Sequence, residues 1–161
     1  MKNYKPFYVG LLVAMLFSPQ TAMSAEPGDN IKTVEANFAQ VFQDLQDEVV
    51  NKGLVIDYIG HVDTMLERTS EASGVEKSPY LHAKYFQFCS SALTHEAVAA
   101  DSQNLAMCPY LVFAYETRAK PGTVSVGFRE PTLTSSEKSQ AAATKVRNLL
   151  QGIVEASVSG N

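Results

Sequence analysis

Apolar residues recur along the chain with two different periods, and the alternation between those periods predicts the elements. Phe38, Val41, Phe42, Leu45, Val49 and Val50 are spaced as on one face of a helix, with Gln43, Asp44, Gln46, Asp47 and Glu48 on the other. Asn37 with Gln40 three residues later has the form of a capping box, and Gly53 supplies a C′ stop. Ile31–Glu35 precedes this helix as a short strand, and Leu54–Ile59 (LVIDYI) follows it as another. His61–Arg68 reads as one or two helical turns and Thr69–Pro79 as a polar loop. Tyr80–Cys89 (YLHAKYFQFC) is an aromatic-rich strand.

Ser90 or Ser91 caps a helix running through Leu93, Ala97, Val98 and Ala100, and a turn follows over Asp101–Asn104. Pro109–Thr117 is an apolar strand. Val124, Val126 and Phe128 alternate with Thr123, Ser125 and Arg129 in the period-two pattern of a strand wet on one face. Pro121-Gly122 turns between these two strands, so they form a hairpin. A last helix, capped by Ser135 or Ser136, carries the stripe Ala142, Val146, Leu149, Leu150, Ile153 and Val154, and residues 157–161 are expected to fray.

The order β-α-β-α-β-α-β-β-α, without repeat or linker, predicts one α+β domain over residues 31–156. Its sheet is largely antiparallel, with helices packed on one face. In the strand Tyr110–Tyr115 both faces are apolar, which calls for cover on both sides. The helices supply one cover. The other is a second subunit, a ligand or the Ser70–Pro79 loop.

The first 25 residues change the compartment. Lys2 and Lys5 precede an apolar run from Tyr8 to Phe17 and a small-residue stretch ending at Ala25, the layout of a cleaved signal peptide. The run falls short of the roughly 20 apolar residues that span a bilayer, so no membrane anchor is expected. Residues 26–30 read as a flexible lead-in. The whole chain has 13 Lys and Arg against 17 Asp and Glu; cleavage removes Lys2 and Lys5 but no acid, leaving 11 against 17 and a formal −6. That sign disfavours nucleic acid and anionic lipid as partners. The expected location is the periplasm, or secretion.

The segments Lys52–Val62 (KGLVIDYIGHV), Phe86–Ser90 (FQFCS), Met107–Glu116 (MCPYLVFAYE) and Pro121–Pro131 (PGTVSVGFREP) resemble the bacterial family called domain of unknown function 302. The resemblance covers about residues 31–156. It is strongest to an exported branch carrying paired Phe-Cys and Cys-Pro-Tyr elements. It implies a small α+β fold and a dimer; it implies no activity and no catalytic residues. Gly60-His61 stands where Asp-His is common, which weakens any role for a carboxylate beside that histidine.

Candidate chemistry is sparse. Cys89 and Cys108 are the only cysteines, and in an oxidising compartment they are disulfide candidates. They can meet if the strands flanking them run antiparallel. Otherwise they remain free or ligand thiols, and a redox pair lacks C-x-x-C spacing. His61 and Met65, four apart on a helical turn, form with Cys89 and Cys108 a ligand set suited to copper or haem iron, to which Met107 adds a soft donor. Against it, methionine at helical spacing usually serves a core, so no cofactor is expected and copper or haem is the alternative. Asp57, Asp63 and Glu67 offer an acidic cluster, and Tyr85, Tyr110 and Tyr115 a pocket or interface. No C-x-x-C-H, H-E-x-x-H, G-x-S-x-G or glycine-rich phosphate loop occurs. The residues point to a non-enzymatic binding or accessory domain of unknown ligand. The alternative is a copper or haem protein of electron transfer or sulfur chemistry.

Overall fold

The computed structural model describes residues 30–131 and 136–160. The expected signal peptide, the expected lead-in up to residue 29, the alternative cap Ser135 and Asn161 lie outside them. Five strands, β1 (Ile31–Glu35), β2 (Ile56–His61), β3 (Tyr80–Phe88), β4 (Tyr110–Thr117) and β5 (Thr123–Phe128), form one sheet in the order β1-β5-β4-β3-β2. All four pairings are antiparallel. The helices are α1 (Phe38–Asn51), α2 (Val62–Thr69), α3 (Ser91–Ala100) and α4 (Glu137–Val158). The fold is the α+β layer expected from the residue pattern.

Local chemistry sets the ends of α1. The Asn37 side chain accepts from the Ala39 and Gln40 amides at 2.9 and 3.2 Å, which satisfies two of the helix's orphan donors. The Gln40 side chain does not return to the cap. It donates to Asp44 Oδ1 one turn on, so only half of the expected capping box forms. At the other end Gly53 takes a φ of +72°, and the Gly53 and Leu54 amides donate to Val50 and Val49 carbonyls.

The strand expected at Leu54 begins two residues later, at Ile56, and runs to His61. Val55 is left exposed. The Asp101–Asn104 turn is the start of a 3-10 segment over Ser102–Met107. Its Asn104 is buried and donates to Ala97 O and Ser139 Oγ, tying the end of α3 to the start of α4. Ser136 caps α4, which stays helical through Val158 with Ser157 buried, two residues into the tail expected to fray.

One face of the sheet carries the core. Phe86 and Phe88 of β3, Val112 of β4, and Val124, Val126 and Phe128 of β5 are all buried beneath Val41, Leu45 and Val49 of α1 and Val146, Leu150 and Ile153 of α4. At about 1.5–3 kcal/mol for each large side chain, this one-sided burial is the dominant stabilising term. The other face follows from the period of two. Residues 111, 113, 115 and 117 of β4 point away from the helices, and each is only partly buried.

Candidate functional site

Strand register assembles an aromatic surface on that second face. Tyr85 pairs with Phe113 across β3 and β4, Gln87 with Leu111 and Ala83 with Tyr115. On the flanks, Gly60 of β2 pairs with Tyr85, and Gly127 of β5 with Phe113. The two glycines let the rings lie down. A Cβ at Gly60 would overlap the Tyr85 ring, and one at Gly127 would sit 2.7 Å from Phe113 Cζ. Tyr58, 55% exposed, continues the surface at 6.0 Å from Tyr85 between ring centroids, and Phe113 stacks on Tyr115 at 6.2 Å. A shallow hollow of about 240 Å³ opens here between Val62, Tyr80, Tyr85, Leu111, Phe113 and Tyr115.

Of the three tyrosines singled out from the sequence, Tyr85 and Tyr115 share this surface. Tyr110 does not. It stands five positions before Tyr115, an odd offset, so it faces the core, 3% exposed, edge-on to Phe88 at 5.7 Å. Burial pushes its phenol above the usual range.

Cys89 and Cys108 are bonded, with a Cα separation of 5.7 Å. Antiparallel pairing of Phe88 with Tyr110 is the reason: α3 and the 3-10 segment carry the chain out and back to the same end of the sheet. The bridge lines a groove of about 640 Å³ whose walls include Leu54, Val55, His95, Val98 and Leu105.

His61 lies elsewhere. It pairs with Lys84, whereas Cys89 follows the Ile56–Phe88 pair, so imidazole and sulfurs stand at opposite ends of β2, roughly 16 Å apart along the strand. Met65 is on α2, 42% exposed, and Met107 is in the core. The proposed His61, Met65, Cys89, Cys108 set is therefore not brought together. Among the described residues no group of three or more His, Cys, Asp or Glu converges as a metal site.

The acidic cluster also disperses. Asp57 lines the disulfide groove. Glu67 pairs with Arg118 at 3.4 Å. Asp63 accepts from its neighbour Thr64 at 2.7 Å and from the Ala83 amide at 3.1 Å, pinning α2 to β3. Partial burial pulls the Asp63 carboxyl upward, but those hydrogen bonds, with the Lys84 charge, outweigh it and hold the carboxyl below the ordinary value. His82 is exposed and stacks on Phe38 at 4.9 Å, and Lys84 Nζ lies over the Phe38 and Phe42 rings at 5.9 and 5.6 Å.

The family model described as domain of unknown function DUF302 matches residues 30–157. A solved structure, the uncharacterized conserved protein DUF302 from Bacillus stearothermophilus, superposes with a TM-score of 0.64 at 14% identity. The match covers 79% of this chain and 97% of that one. At that identity the likeness is one of fold. No curated protein matches the chain.

Proposed function

The chain belongs to the DUF302 family, and from that premise we propose that it is an exported binding or accessory domain whose working surface is the aromatic sheet face, occupied by a second copy of itself. The observation that carries this reading is the ring-over-glycine arrangement of Tyr85 on Gly60 and Phe113 on Gly127. It flattens the sheet face turned away from α1 and α4, which α2 borders through Val62.

Two further features favour a self-complementary partner over a charged one. The inner part of the face, from Tyr58 through Gln87, Tyr85, Leu111, Phe113, Tyr115 and Ser125, carries no charged side chain, so two copies of an acidic protein meet there without opposing like charges. Its size is also suitable. Five strands about 4.8 Å apart and about six residues long give a flat footprint of roughly 500 Å². Protruding rings raise its accessible area toward the roughly 800 Å² per partner of a standard interface. The disulfide supports the exported location, since such bonds persist in oxidising compartments.

Light scattering and sedimentation of the chain from residue 26 onward test the reading. A dimer is expected. Phe113→Asp, and separately Tyr58→Asp at an exposed ring of the same face, should shift it toward monomer while circular dichroism stays unchanged. A wild-type chain that remains monomeric at high concentration, or a dimer indifferent to both substitutions, would overturn it.

A further inference from the structure

We propose that the groove beside Cys89–Cys108 is a thiol–disulfide exchange site for an apolar segment of an exported polypeptide bearing two thiols. The bridge is not enclosed: both cysteines are only partly buried, and both line the groove. Its rim carries two of the most exposed large apolar side chains among the described residues, Val55 at 73% and Leu105 at 61%, with Leu54 and Val98 deeper in. Apolar walls around an accessible bridge suit an unfolded or extended chain better than a small polar thiol.

The two sulfurs are inequivalent. Cys108 packs against the core cluster. Cys89 immediately precedes Ser90, the N-cap of the ten-residue α3, whose hydroxyl accepts from the Leu93 amide, and Ser91 and Ala92 of the first turn line the groove. A thiolate at Cys89 lies at the positive end of that helix, which favours its departure. His95, on the same helix and the same groove wall, is placed to take a proton from an incoming thiol.

The chemistry balances as follows. A substrate thiol gives its proton to His95, its sulfur bonds to Cys108 Sγ, the Cys89–Cys108 bond breaks, and Cys89 leaves as thiolate. The substrate's second thiol loses its proton and attacks the substrate sulfur of this mixed disulfide, forming the substrate's own disulfide and releasing Cys108 as thiolate. Both protein thiolates then take up the two protons. The substrate dithiol is oxidised by two electrons and the bridge is reduced by two. A low-molecular-weight disulfide restores the bridge by the same exchanges in reverse.

The test uses the folded chain and a reduced apolar peptide with two cysteines, the products being trapped by alkylation and weighed. Oxidation of the peptide matched by reduction of Cys89 and Cys108 is expected. His95→Ala should slow it by roughly tenfold or more. Leu105→Asp should slow the peptide severalfold while leaving reduction by glutathione, which needs no apolar wall, unchanged. A bridge that stays oxidised in excess dithiol peptide while the chain stays folded, or rates indifferent to both substitutions, would leave it a structural staple and overturn the proposal. Neither residue belongs to the sheet face, so dimerisation is read independently.

Discussion

The ring of Phe113 lies across Gly127 on the neighbouring strand, at a spacing that leaves no room for a Cβ: one built there meets Phe113 Cζ at 2.7 Å and the Asn30 carbonyl oxygen at 2.8 Å. The second contact is backbone, so rotating the ring cannot relieve it. Gly127→Ala should cost about 1–3 kcal/mol, the usual range for overpacking. Urea denaturation measures it. A loss below about 0.5 kcal/mol would mean that β1 and β5 separate freely.

The Cys89–Cys108 bridge closes a loop with a sequence separation of 19. On the chain-entropy account its removal costs about 3 kcal/mol, less than the stability of an ordinary domain. The double variant Cys89→Ser, Cys108→Ser should therefore fold, with a Tm lower by several degrees. Thermal unfolding compares it with the bridged chain. An unfolded variant would show the bridge to be indispensable.

Asp63 links stability to acid. Its folded carboxyl titrates below the ordinary aspartate value, so its contribution is complete above the unfolded pKa and is lost as pH falls through the folded one. Tyr110 has the opposite sign: its raised phenol contributes stability that fades as pH rises beyond the ordinary value of 10. Asp63→Asn should flatten the stability profile on the acid side, below the ordinary aspartate value, and lower stability at pH 7 by about 1.5 kcal/mol, the scale of a hydrogen bond to a charged group. Denaturant titrations at several pH values separate the two effects. A variant with the parental acid slope would remove Asp63 from this role.

Separation of His61 from the sulfurs bears on copper and haem. The purified protein should show no Soret or copper band and no stoichiometric metal by elemental analysis. A band that disappears in His61→Ala would restore the ligand reading.

Much of this architecture was legible because it rests on local patterns. The α1 stripe, its Asn37 and Gly53 ends, the alternation in β5 and the Pro121-Gly122 turn each declare themselves within a dozen residues. The chain pattern also showed that β4 is apolar on both faces, and this is the root of the aromatic surface. Gly60 read as a departure from the family's pattern; only its register opposite Tyr85 shows why a side chain is unwelcome there. Pairings of that kind are set by strand order. The groove beside the bridge was equally hidden, since Val55 and Leu105 are brought to it by separate segments 50 positions apart.

β1, earliest of the described strands, hydrogen-bonds only to β5, some 90 positions downstream, where Thr33 and Ser125 hydroxyls meet at 3.2 Å. A five-residue ribbon thus guards the flank of the hairpin. Trimming the chain past Glu35 would bare the Thr123–Phe128 border, a ready template for fibre-like stacking between molecules. The amino-terminal segment is in that sense a selvedge, keeping the weave from unravelling into its neighbours.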